Sequence, residues 1–135
     1  MARFAFRLER VLQLRVREER DRQIALAALE RRRTELEGAI RACAARAREE
    51  RALQADWLSP GGADVGAARS QAAAAVHEIA RAQRLSIELA GVLRKRDEAR
   101  TELARATAAR RAIELLRERA FGEWLSTESR REDRA

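Results

Sequence analysis

Apolar side chains recur along most of this chain at alternating steps of three and four residues. In the first half, Leu26, Leu29, Leu36, Ile40, Cys43 and Ala47 keep that spacing, with an arginine at position 33. In the second half, Ala72, Val76, Ile79, Ala82, Leu89 and Leu93 follow a looser version, continued by Leu103, Ile113 and Trp124. This spacing puts the apolar positions on one stripe of an α-helix, and a sustained stripe is the seam of a coiled coil. No run alternates with the period of two that a half-buried strand requires.

One stretch breaks the pattern: "LSPGGADVG", residues 58–66. Pro60 removes a backbone donor and pushes the residue before it out of the helical region. Gly61 and Gly62 permit a sharp turn, and Asp64 has the side chain of an N-cap. The spacing therefore predicts a helix over about 3–58, a turn over about 59–63 and a helix over about 64–129. At 1.5 Å per residue these would measure roughly 80 and 100 Å.

A short turn forces neighbouring helices to run antiparallel, so facing residues should have position numbers summing to about 122–125. Leu29 then meets Leu93, Leu36 meets Leu89, Cys43 meets Ile79 and Ala47 meets Val76. Towards the termini, Leu8 meets Leu116 and Leu12 meets Ile113. The expected fold class is all-α: two long helices forming an antiparallel coiled-coil hairpin, with residues 1–135 a single coiled-coil rod. One part of the seam is poorly apolar, where Arg15, Glu19 and Arg22 come near Arg100, Leu103 and Arg110. A frayed or water-filled segment is the favoured expectation there, and a rod built to be gripped or twisted is the alternative.

Composition agrees. The chain is 38% charged and 4% aromatic, with one proline, which suits long helices and not a globule with a thick core. No stretch approaches the roughly 18 apolar residues of a membrane span, so no transmembrane span is expected. Arginines interrupt the first apolar residues every few positions, unlike a secretory signal. The single cysteine, Cys43, excludes an internal disulfide and fits a reducing compartment. The expected location is cytoplasmic.

Charge is unevenly spread. Of the net +7, residues 1–33 carry +5 and residues 94–135 carry +3, while residues 34–93 carry −1. In an antiparallel hairpin the two basic segments lie side by side at the end that holds both termini. Phe4, Phe6, Phe121 and Trp124 gather at that same end. A basic end suits an acidic partner, and the aromatics have two readings of equal weight: a hydrophobic lock for the helix ends, or an exposed anchor set, since Trp, Phe and Arg dominate binding hot spots.

Catalytic chemistry is not apparent. His77 is the only histidine and has no second ligand at metal spacing. Cys43 sits at a seam position as a small apolar residue. "SPGGADVG" lacks the Gly-Lys-Ser/Thr ending of a phosphate loop. No enzyme activity, catalytic residue, metal or cofactor is expected.

Two segments carry a family resemblance. "FAFRLERVLQLRVREER" resembles the Phe-x-Phe-Arg-Leu-x-x-Val-Leu opening of the FliJ family, coiled-coil proteins of the bacterial flagellar type III export apparatus. "ELARATAARRAIELLRERAFGEWLSTESRREDRA" resembles that family's C-terminal run of Arg-Arg, Leu-x-Glu-Arg, an aromatic, Glu-x-Trp and Glu-x-x-Arg-x-x-Asp. The resemblance covers roughly the first 20 and last 40 residues. It implies a non-enzymatic stalk whose paired terminal helices enter the hexameric export ATPase ring and link it to the export gate, a membrane protein with a cytoplasmic part. It also implies contacts with export chaperones and peripheral association with the export apparatus at the inner membrane.

By motif match, the partner-binding residues implied are Phe4, Phe6, Arg7, Leu8, Arg10, Leu12, Leu116, Arg119, Phe121 and Trp124. The alternatives are an injectisome stalk homologue and a basic coiled coil that binds nucleic acid. The latter lacks the aromatic stacking platform expected for single strands, so no specific nucleic acid is expected.

Overall fold

The computed structural model describes residues 2–58, 61 and 64–135. Those residues are all-α: α1 spans Glu9–Leu58 and α2 spans Val65–Arg134, with no strand among them. Ala, Arg, Glu and Leu, the commonest residues of both helices, are strong helix formers. Ladders of pairs within one helix add local support. Arg33 reaches Glu30 at 3.1 Å and Glu37 at 3.0 Å, and Arg111 reaches Glu114 at 3.3 Å. Thr34 and Ser86 turn their hydroxyls back to the carbonyls of Glu30 and Ala82, at 3.1 and 2.8 Å. These β-branched or small polar residues thus sit within helices without an unpaired group.

Both helix starts have a visible cause. Asp64 caps α2: its Oδ1 accepts from the Ala67 amide at 3.0 Å, and its carbonyl accepts from the Ala68 amide at 3.1 Å. Gly61 has φ of +98°, a conformation that side chains disfavour. The rest of the expected turn, Ser59, Pro60, Gly62 and Ala63, lies outside the described residues.

α1 starts six residues later than the spacing predicts. Residues 2–8 are not helical. The Phe6 carbonyl accepts from the Glu9 amide at 3.2 Å and the Leu8 carbonyl from the Leu12 amide at 2.9 Å. Residues 2–8 contain no Ser, Thr, Asp or Asn to cap an earlier start. The non-helical path carries the Phe4 ring onto α2, and that partial burial outweighs less than two further turns of an unsupported helix end. α2 runs five residues further than predicted, with Arg131 and Arg134 in its last turn, where cations complement the helix dipole.

The chain divides into two compact units, residues 1–27 with 97–135, and residues 28–96. Each is a pair of antiparallel helical segments, as the bridging ion pairs establish. In the first unit Glu9 meets Arg117, Glu19 meets Arg110 and Arg22 meets Glu102, so the α2 number falls as the α1 number rises. In the second, Glu30 meets Arg96, Arg32 meets Glu88 and Arg46 meets Glu78.

All the fully buried apolar residues among those described belong to unit 28–96: Leu36, Cys43 and Ala47 from α1, Ala68 and Ala75 from α2. The α2 seam there follows a strict seven-residue repeat, Ala68, Ala75, Ala82 and Leu89, the last two half-buried. This corrects the expected stripe at one position. Val76 is 66% exposed, and Ala75 takes the place opposite the buried part of α1. Alanine at 68 and 75 lets the two backbones approach, which the larger valine would prevent.

Cys43 lies inside this seam and accepts a long contact from Arg46 Nη2 at 3.5 Å. Arg46 Nε also reaches Glu78 at 3.2 Å. Burial pushes the Glu78 carboxyl up, but hydrogen bonds from Cys43 and Arg46 outweigh it and hold the group below its ordinary range.

Candidate functional site

Among the described residues, the unit of residues 1–27 and 97–135 has no fully buried apolar side chain. Its organising feature is aromatic. On α2, Phe121 and Trp124 are three residues apart and therefore neighbours on one face; their rings stack with centroids 5.8 Å apart and planes at 20°. The N-terminal segment brings Phe4 against both. It meets Phe121 edge-on, with centroids 5.1 Å apart and planes at 72°, and Trp124 at 5.8 Å and 54°. Offset and edge-to-face contacts of this kind are the favoured aromatic geometries.

Arg117, one turn before Phe121, completes the cluster. Its guanidinium lies 5.6 Å from the centre of the Phe4 ring, and its Nε donates to Glu9 at 3.1 Å. It thereby ties α2 both to the non-helical segment and to the first turn of α1. Neither Arg117 nor Glu9 is among the residues that the sequence motifs single out. Spacing does not find them either: Arg117 sits one turn from Phe121, but the ring it lies over is Phe4.

Phe6 takes a different course and makes no ring contact among the described residues. It lines an open groove of about 400 Å³ with Ala5, Leu8, Leu116 and Ala120, to which Arg7, Arg119 and Glu123 also contribute. Phe121 and Leu116 keep more than 40% of their surface exposed. Leu12 is half-buried and, with Glu9, Glu114, Arg117 and Glu118, lines a second shallow depression. Arg10 is exposed. The structure thus brings Phe4, Phe121 and Trp124 into one cluster and Phe6, Arg7, Leu8, Leu116 and Arg119 into an adjoining groove.

Further along this unit, the expected weak stretch of seam is an open polar gap spanned by an ion pair. Arg15, Arg22, Arg105, Glu18, Asp21 and Glu102 line an open cavity of about 510 Å³ together with small alanines. Arg22 Nη1 meets Glu102 at 2.9 Å across it, while Arg15 stays with Glu18 on its own helix at 3.0 Å. Next to the cavity, Arg110 meets Glu19 at 2.7 Å and Glu114 at 2.6 Å. The hydrogen bond from Arg110 draws the Glu19 carboxyl below its usual range, against the opposing effect of burial. Both helices remain continuous here.

No group of three His, Cys, Asp or Glu side chains that could hold a metal ion is present among the described residues. His77 is exposed. No described helix is long and apolar enough to cross a membrane. What the site offers is a half-exposed aromatic cluster and an apolar groove edged by Arg7, Arg119 and Glu123. No family model matches the chain, and neither a search of curated proteins nor one of solved structures finds a match.

Proposed function

We propose that this protein is a non-enzymatic stalk or coupling component of the flagellar type III protein export apparatus, of the FliJ kind. In this reading the paired chain ends insert into the hexameric export ATPase ring and link it to the cytoplasmic part of the export gate, with export chaperones as further partners. The protein would then be cytoplasmic and peripherally associated with the export apparatus at the inner membrane.

The observation that carries the reading is the contact of Phe4 with Phe121 and Trp124. The two sequence segments that resemble the FliJ family lie at opposite ends of the chain, and this cluster joins them in one surface. The half-exposed rings and the groove beside them supply apolar anchors, while Arg7, Arg10 and Arg119 supply positive charge for an acidic lining.

The test is assembly and turnover of a purified export ATPase with and without this protein. Enhanced hexamer formation and turnover, lost on combined Phe121→Ala and Leu116→Ala substitution, is the expected result. Absence of co-purification, with ATPase assembly and turnover unaffected, would sink the reading.

A further inference from the structure

Helix α2 carries a second apolar line that its partner helix leaves uncovered. Val65, Val76 and Ile87 are eleven residues apart, which is three turns plus about 20°, so they lie along one side of the helix. They are the most exposed large apolar residues of the unit 28–96 apart from Leu58, at 60%, 66% and 75%. Ala72 and Ala80 fall on the same line. The buried seam of Ala68 and Ala75 lies about 100° away around the helix. A helix with two apolar stripes at that angle is built to touch two neighbours, and α1 accounts for only one.

The charge beside this line is one-sided. Within residues 65–96 the only acids are Glu78 and Glu88, and both turn to α1, pairing with Arg46 and Arg32. Arg69, on the line itself, and Arg84, at its edge, have no acidic partner among the described residues. The occupant should therefore present apolar side chains flanked by acids.

The chain itself carries such a surface. In the last turns of α1, Leu53 and Trp57 are one turn apart and each is 40% exposed. By helical position Glu49 and Asp56 flank them on one side and Glu50 on the other, while Arg48 and Arg51 point away. Within one molecule both surfaces stay exposed.

We propose that residues 28–96 self-associate through a two-fold interface. The Leu53–Trp57 surface of each copy packs on the Val65–Val76–Ile87 line of the other, so both surfaces are covered twice. Arg69 and Arg84 then face Glu49 and Glu50 of the second copy. Opposed charges at the rim favour this pairing over a line-to-line contact, which would set arginines against arginines. The interface is separate from the paired chain ends, and the test involves no ATPase, so the two proposals stand or fall independently.

Sedimentation equilibrium of the full chain, over roughly 1–200 μM, is the experiment. The expected result is a rise from the 15.3 kDa monomer to twice that mass. Ile87→Glu and Trp57→Glu should each weaken association by about tenfold or more in Kd, with helicity by circular dichroism unchanged. Reversing Arg69 and Arg84 to Glu should also weaken it, and reversing Glu49 and Glu50 to Arg in the same chain should restore it. A single 15.3 kDa species at every concentration overturns the proposal, whatever other protein the line captures. So does a dimer that Ile87→Glu and Trp57→Glu leave intact, or a four-fold charge reversal that stays as weak as the two-fold one.

Discussion

Arg110 Nε on α2 donates to Glu19 Oε2 on α1 at 2.7 Å, and Arg110 Nη1 lies 2.6 Å from Glu114 on its own helix. One guanidinium thus holds two carboxylates at a level where an apolar seam would place leucines. Both carboxyls are drawn below their ordinary range, chiefly by Arg110, against the opposing effect of burial. The residues around this pair depend on a hydrogen-bonded charge layer where residues 28–96 depend on a packed apolar one.

That layer should make residues 1–27 and 97–135 acid-sensitive. Glu19 and Glu114 titrate below their usual 4.5 in the folded chain. Their stabilising contribution is therefore complete above that value and lost as pH falls through the lowered folded value. Carboxyl titration by NMR should show both midpoints below 4.5, and Glu19→Gln should remove part of the acid-induced loss of helicity. Midpoints at or above 4.5 would contradict the assigned role of Arg110.

The aromatic cluster should govern the order of the chain ends. Phe4→Ala removes both ring contacts and the Arg117 stacking, with each aromatic pair worth about 0.5–1.5 kcal/mol. In a Trp57→Phe background, which leaves Trp124 as the only tryptophan, the emission should shift to the red. Leu8→Ala with Leu12→Ala should speed amide exchange over the first turns of α1 while residues 28–96 stay protected. Equal exchange in both variants and the parent would remove this cluster as the fastening of the N-terminal segment.

The buried seam of residues 28–96 should be the most stable part of the protein by hydrogen exchange, because apolar burial and not exposed ion pairing protects it. Leu36, 2% exposed, should cost about 2–5 kcal/mol on replacement by alanine. Cys43, 1% exposed, should react with a thiol reagent only at the rate of opening of this seam. Leu36→Ala should raise that rate in proportion to the stability it removes. Immediate labelling of Cys43 in the native protein would mean the seam is not closed.

Asp64→Ala should cost about 1 kcal/mol through loss of the bond to the Ala67 amide, read as a lower midpoint in thermal unfolding. Asp64→Asn should recover most of it, since the amide oxygen accepts the same bond. If Asn proved no better than Ala, charge and not capping would explain the position.

Much of the fold was legible because it is written locally. Three-four spacing, uniform helix formers and a single Pro-Gly-Gly break specify two helices and their boundaries near residues 58 and 64. The antiparallel pairing was also legible, since apolar positions such as Leu36 and Leu89 recur at one constant sum, and the ion pairs of Arg22 with Glu102 and Arg46 with Glu78 fall at the same sum. The aromatic cluster could be anticipated only in outline. Phe4 and Phe6 look equivalent as letters, yet one packs on Phe121 and Trp124 while the other lines a groove. Arg117 and Glu9 gave no motif signal, because an arginine and a glutamate among so many carry no distinguishing mark.

By itself the sequence determined the helical class, the place of the break, the Asp64 cap and the basic character of both chain ends. These follow from backbone propensity and spacing, which act within a few residues. Tertiary structure decided three things. It delayed the start of α1 to Glu9 so that Phe4 could reach α2, it turned α2 to bury Ala75 instead of Val76, and it closed a polar stretch of seam with Arg110. Each depends on what a residue gains from a partner far away in the sequence or from close backbone approach. Helical periodicity says which residues share a face, but only packing says how that face is rotated and which side chains it rejects.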